Sequence, residues 1–209
     1  MPRSFALIPA AGHSVRMGQP KLLLPVAGQP LILQVLAAWK QSRVDQIVVV
    51  VRPDDGALAD VVRAAGVEVV IPPAGPPDMK ASLICGLAHI AAMYQPNSND
   101  CWLVAPADMP GLSPLIINRL LDEATSHPGQ IFIPTIGGRR GHPVLLPWSL
   151  AGKVSQLAEN EGLSALIDRQ GSHCVACDDL APDPSQPFAD IDTPEDLHAF
   201  SKQASPRTN

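Results

Sequence analysis

Gly12, Ser14, Arg16, Gly18 and Lys21 fall within one short stretch of chain and together could manage a polyphosphate. Glycines let backbone N–H groups approach an anion closely, a serine adds a hydroxyl donor, and the arginine and lysine bring two positive charges. Phe5, Ala6, Leu7 and Ile8 precede them as an apolar run too short for a helix, ending at Pro9 as a buried strand leaving a sheet does. The spacing GHSVRMG is neither GxGxxG nor the Walker pattern GxxxxGK[ST], so an ordinary strand-to-helix turn would use the same glycines.

Further candidates stand downstream. Asp108, in PADMPGLSP, lies between Pro106 and Pro110. Rigid flanks fix a carboxylate's direction, which matters for a metal ligand and little for a solvated turn. Lys80 and Ser82 fall in the first turn of a helix expected over 79–93, where they can face an anion or merely cap and solvate the helix. Arg139, Arg140 and His142 follow Gly137 and Gly138 in GGRRGHPV, which reads equally as an adaptable cationic loop for an acceptor phosphate and as a solvated hairpin. In DIDTPEDL, Thr193 as N-cap and Pro194 at the first helical position account for TPED by capping alone, but not for Asp192.

The extended string PAAG-x-S-x-RMG-x-x-K-LLLP, followed in order by PADMPGL, GRRGHPV and DIDTPEDL over almost the whole chain, resembles the molybdenum cofactor cytidylyltransferases within the MobA-like NTP transferase superfamily. The resemblance implies transfer of CMP from CTP to the terminal phosphate of molybdopterin, with release of pyrophosphate. It assigns Arg16 and Lys21 to catalysis, and Pro9, Ala10, Ala11, Gly12, Ser14, Gly18 and Ser82 to the nucleotide. It gives Asp108 and Asp192 to Mg²⁺, while an acceptor role for Arg139, Arg140 and His142 rests on the residues themselves. Asp78 departs from the glycine-methionine start usual before that serine. In the resembling families PAAG goes with cytidine and LAGG with guanosine.

Related and unrelated alternatives remain. A cytidylyltransferase for methylerythritol phosphate usually carries glutamine directly after the loop lysine, where Leu22 stands, and a guanylyltransferase making the other molybdenum dinucleotide usually reads LAGG where this chain reads PAAG. A non-catalytic chaperone that delivers the cofactor to a molybdoenzyme would keep the pocket, although Arg16, Lys21, Asp108 and Asp192 together favour catalysis. A nicotinamide oxidoreductase would need GxGxxG and a ribose-binding acid that are not evident.

The elements that must position these residues alternate. Helices are expected over 30–41, 57–65, 79–93, 114–125 and 163–170, and strands over 46–51, 67–71, 100–105, 130–134, 144–146 and 173–177. Valine-rich continuous runs such as 46–51 suit parallel strands buried on both faces. The expected fold is an α/β three-layer sandwich, Rossmann-like, with a mostly parallel sheet and an antiparallel strand near Val144. The proline-rich segment 71–78 is a rigid loop.

A chain of 209 residues supports one core, so a single domain is expected over 1–200, with a flexible polar tail over 201–209. Aromatic residues are 4% and net charge is −5, which argues against a nucleic-acid surface and leaves room for a local basic pocket. No apolar run approaches the ~20 residues of a membrane helix, and a cytoplasmic protein is expected. Cys174 and Cys177 form a lone C-x-x-C on an expected strand, where they would point to opposite faces rather than share a metal. The expected partners are CTP, a phosphorylated small molecule such as molybdopterin, and a molybdoenzyme that receives the product.

Overall fold

The computed structural model describes residues 2–12, 20–26 and 28–180, together with 188, 191, 193, 195, 196 and 200. Strand β1, Ser4–Pro9, occupies a central place in an eight-stranded sheet. A short hairpin of β2 (Pro25–Val26) and β3 (Gln29–Pro30) leads into α1, Leu31–Gln41. Then follow β4 (Gln46–Val50), α2 (Gly56–Ala64), β5 (Glu68–Val70), α3 (Met79–Tyr94) and β6 (Cys101–Val104). The second half comprises α4 (Pro114–Ser126), β7 (Phe132–Ile136), β8 (Arg139–Arg140) and β9 (Val144–Pro147). The short α5 (Ala151–Val154), α6 (Leu163–Gln170) and β10 (His173–Ala176) complete it.

The sheet order is β10-β7-β9-β6-β1-β4-β5, with β8 beside β7. β4 and β6 both pair with β1 in parallel, β5 pairs with β4 and β10 with β7 in parallel, and β9 runs against both β6 and β7. The expected antiparallel strand near Val144 is therefore present, and every other strand on this path points the same way. From β1 the chain moves outward to β4 and β5, then returns past β1 to β6. That reversal opens a crevice beyond the carboxyl ends of β1 and β6, the place where open α/β sheets bind ligands.

Period-two alternation divides the core between two faces. Ala6 and Ile8 of β1, Val49 of β4 and Leu103 of β6 pack with α1, α2 and α4. Phe5, Leu7, Val48 and Trp102 face the other way onto α3, α5 and α6. Three layers result because the central strands β1, β4 and β6 are apolar on both faces, as the valine-rich runs require. Gly86 lets α3 lie close to the sheet, since a β-carbon there would overlap Leu7 Cδ1 and fall 3.0 Å from Val50 Cγ2.

Boundaries differ from the sequence expectation chiefly in the second half. β7 begins and ends two residues later than 130–134, because Ile131 is followed by a strand that carries on to the Gly137–Gly138 turn. Ser113 stands at the N-cap of α4 with no side-chain capping bond, so Pro114 at the first helical position shapes that end without it. Cys174 is exposed and Cys177 buried, on opposite sides of the strand end. No helix among the described residues is long and apolar enough to cross a membrane. The proline-rich segment 181–187, which the sequence places in a surface loop, and the expected tail 201–209 lie outside the described residues.

Candidate active site

Lys21 opens a 3-10 turn, Lys21–Leu23, whose Leu22 is buried in the core beneath α1. The Leu24 carbonyl accepts the Leu31 N–H at 2.9 Å, so the start of α1 fixes the far end of this turn. With Leu22 held inward, the Lys21 ammonium reaches across to Asp108 Oδ2 at 2.5 Å and to the Ile191 carbonyl at 3.0 Å. The two charged side chains are only 14% and 17% exposed, so water screens them less than it would a surface pair.

Asp108 is held from both sides. Ala105, Ala107, Met109 and Leu112 are buried around it, which pins the segment following β6 against the core. The Asp108 carbonyl accepts the Ile191 N–H at 2.9 Å, and Ile191 itself is 2% exposed. Thr193 and Asp196 form a reciprocal cap, Thr193 N–H and Oγ1 each donating to Asp196 Oδ2 at 2.8 Å. Both sequence neighbours of Asp192 are thus placed, one of them bonded directly to Asp108. Asp192, like Ser14, Arg16 and Gly18, lies outside the described residues.

The nucleotide candidates that are described surround the end of β1. Ala10 donates its N–H to the Val50 carbonyl at 2.9 Å, and Ala10 and Ala11 are buried. Gly12 is exposed, and a β-carbon built on it would meet nothing within 4 Å, so the fold itself does not demand a glycine there. Ser82 lies one turn before Gly86, which faces Leu7 and Val50, and so falls toward the same edge of the sheet. Its hydroxyl donates to the Asp78 carbonyl at 3.1 Å, while the Asp78 carboxylate caps α3 by accepting the Ala81 N–H at 2.7 Å. Lys80 is directed elsewhere, to the carbonyls of Ala158 and Glu159 at 2.7 and 2.9 Å.

Arg139 and Arg140 form an exposed hairpin with Thr135 and Ile136 around Gly137 and Gly138, whose φ values of 57° and 74° need glycine. Arg140 donates to Ser172 Oγ at 2.9 Å, on the β10 side. From β1 through β6 and β9 to β7 is three strand spacings, about 14 Å at ~4.8 Å each. The arginines therefore occupy the same edge as Lys21 and Asp108 but not the same cluster. Val144 pairs with Val104, which brings His142, two residues earlier, level with the segment that carries Asp108.

Three contributors escape sequence reasoning. The Ile191 carbonyl is a backbone atom with no sequence signature. Phe188 covers Gly141 so closely that a β-carbon there would overlap its ring. Arg52, just past β4 on this edge, is largely covered and held by Asp54 through Nε at 2.8 Å and Nη2 at 2.7 Å. The strand-end rule that singles out Asp108 would have found Arg52 as well.

A divalent cation such as Mg²⁺ prefers hard carboxylate oxygens. Asp108 Oδ1 is buried and has no hydrogen-bond partner among the described residues, an arrangement that suits a metal ligand. Together, a cationic turn, a constrained carboxylate and open backbone at the sheet's switch point define a nucleotide-handling α/β protein. The chain belongs to the MobA-like NTP transferase domain family, whose model matches residues 6–174.

The 2-C-methyl-D-erythritol 4-phosphate cytidylyltransferase of Paraburkholderia xenovorans is 35% identical over 145 residues, covering 68% of this chain and 57% of that protein. The chain spans about three-fifths of the length of the first such relatives. Rv0371c of Mycobacterium tuberculosis, solved as a complex with manganese, superposes with a TM-score of 0.74 at 19% identity, over 97% of this chain and 100% of that one. Molybdopterin-guanine dinucleotide biosynthesis protein A of Archaeoglobus fulgidus superposes with a TM-score of 0.71 at 18% identity, over 95% and 97% of the two chains. These two solved structures establish a shared fold.

Proposed function

We propose that this chain is a metal-dependent cytidylyltransferase that joins CMP from CTP to the phosphate of a small phosphorylated acceptor. The observation that carries the reading is the Lys21–Asp108 pair, set at the switch point of the sheet. An oxygen of the acceptor phosphate attacks the α-phosphorus of CTP, the bond from that phosphorus to the bridging oxygen breaks, and pyrophosphate leaves with the electron pair. A phosphate monoester loses its second proton near pH 6, so the nucleophile is already anionic and the protein need not supply a strong base.

What the protein must supply is position and charge. Lys21 stabilises charge on the α-phosphoryl oxygens. Gly12, Ser14, Arg16 and Gly18 hold the β- and γ-phosphates, Pro9, Ala10 and Ala11 border the base, and Ser82 closes the pocket from the first turn of α3. Asp108 and Asp192 would hold Mg²⁺, which supplies electrostatic stabilisation of the polyphosphate when bound. Arg139, Arg140 and His142 receive the acceptor.

Molybdopterin is the acceptor favoured by the ordered motifs PAAG, PADMPGL, GRRGHPV and DIDTPEDL, and a molybdoenzyme would then receive the dinucleotide product. Methylerythritol phosphate is the second reading, favoured by relatives at 34–35% identity that bear its cytidylyltransferase name. Both are phosphate monoesters, so the same machinery serves either. The test is pyrophosphate release with Mg²⁺, each of the four NTPs and each acceptor in turn. Release with CTP and one acceptor supports the assignment, and no release with any combination rejects it.

A further inference from the structure

The ammonium of Lys21 is already engaged on the carboxylate proposed to bind the metal. It lies 2.5 Å from Asp108 Oδ2, with the Ile191 carbonyl as a second acceptor at 3.0 Å. Both side chains are mostly covered, and a carboxylate withdrawn from water is costly to leave without a counter-charge. The Lys21 ammonium supplies that charge.

We propose that Lys21 is a resident counter-ion of Asp108 that must be exchanged for the divalent metal, and that nucleotide drives the exchange. This inference rests on the assignment of Asp108 as a metal ligand. A divalent ion bound to the Asp108 carboxylate would lie within a few ångströms of the ammonium, and in a covered site such like charges repel strongly. The ammonium must therefore move for the metal to bind well. A flexible four-carbon stem permits that movement, and a triphosphate offers Lys21 a more highly charged partner than a single carboxylate. Nucleotide that draws Lys21 away frees Asp108 for metal. By thermodynamic reciprocity, metal on Asp108 then frees Lys21 for nucleotide, and the two ligands bind with positive coupling.

The consequence runs against the usual expectation for a lost active-site residue, since removing Lys21 should improve metal binding. Mn²⁺ affinity, read by electron paramagnetic resonance on the full chain without nucleotide, should rise by about 10-fold in Lys21→Met, within the usual range of coupling between sites. Lys21→Arg keeps the charge and should bind Mn²⁺ as weakly as the unaltered chain. Addition of CTP should tighten Mn²⁺ binding less in Lys21→Met than in the unaltered chain.

Asp108→Asn separates the two levels of the argument. If Asp108→Asn abolishes Mn²⁺ binding while Lys21→Met leaves it unchanged, the exchange is wrong and the metal assignment stands. If Asp108→Asn leaves Mn²⁺ binding intact, both fall. A measurement that needs no substitution follows the Lys21 side-chain ammonium by ¹⁵N NMR during titration with Mg²⁺ and CTP. Its resonance should shift, and a signal unmoved at saturation overturns the exchange.

Discussion

The phenyl ring of Phe188 lies over the α-carbon of Gly141, in the space that a β-carbon would take. Gly141 ends the arginine hairpin, its N–H bonded to the Pro134 carbonyl at 2.9 Å, and Phe188 stands three residues before Ile191, which is bonded to both Asp108 and Lys21. The contact therefore ties the hairpin proposed to receive the acceptor to the Lys21–Asp108 side. Gly141→Ala should force the ring aside and lower kcat/KM by about 10-fold, since displacements near 1 Å can cost up to ~100-fold. Phe188→Ala introduced together with Gly141→Ala removes the overlap and should recover part of the loss. A double variant worse than Gly141→Ala alone would show that the overlap is not the cause.

Asp108 and Asp192 are separated by 84 positions in the sequence (192 − 108), yet Ile191, the immediate neighbour of Asp192, donates its N–H to the Asp108 carbonyl. If the two carboxylates share one ion, Asp108→Asn and Asp192→Asn should each raise the Mg²⁺ concentration needed for half-maximal activity. The double variant should then be less than additively worse, because the second change removes a ligand from a site already lost. Steady-state rates across a Mg²⁺ titration of all four proteins test this. Fully additive effects would assign the carboxylates to separate tasks.

The sheet, the order of its elements and the antiparallel β9 were legible because each rests on a local pattern, such as the valine runs and the prolines at 71–78. Lys21 and Asp108 could be read as separate candidates, but their contact depends on how α1 buries Leu22 and how β6 lies beside β1, both long-range packing outcomes. No local pattern marks Gly86, and only the approach of Leu7 and Val50 explains why it carries no side chain. The place of Lys80 in a first helical turn leaves open whether it faces an anion or solvates the helix, and the loop carbonyls of Ala158 and Glu159 claim it.

At the opposite edge of the sheet, Asp100 holds the start of β1 and the end of α3 together. It is 1% exposed and accepts from Arg3 N at 2.8 Å, Arg3 Nη2 at 2.8 Å and Asn97 N at 2.9 Å. Burial alone would raise its pKa, but these backbone N–H bonds and the Arg3 guanidinium more than offset it and hold the carboxyl below its ordinary value. A depressed carboxyl pKa stabilises the fold above the unfolded value of about 4. That contribution is lost as pH falls through the lower folded value. Asp100→Ala should lower stability by about 2 kcal/mol near pH 7, the scale of hydrogen bonds to a charged group. Urea unfolding at pH 7 and in acid should show the unaltered chain losing stability more steeply below pH ~4 than Asp100→Ala. Parallel losses would mean that Asp100 does not govern the acid limb.

The proposed base selection rests on Pro9, Ala10, Ala11 and Gly12 at the end of β1. Ala10 is fixed by its N–H bond to the Val50 carbonyl, and Ala11, next along, is 5% exposed, so its β-carbon is part of a packed wall rather than a free surface. A packed wall does not retreat cheaply, because protein interiors are close-packed. A pyrimidine needs less room against such a wall than a purine, whose second ring is crowded by the same methyl group. The difference of one small steric group is typically worth ~10-fold or more in kcat/KM, so CTP should be preferred to GTP by at least that factor. Ala11→Gly removes the methyl and should narrow the preference mainly by admitting GTP, with kcat/KM for CTP changed much less. Competing CTP and GTP in one reaction, with the products separated by chromatography, measures the ratio directly. Equal use of the two nucleotides by the unaltered chain would reject the cytidylyl assignment, while a preference unchanged in Ala11→Gly would move its origin away from this wall.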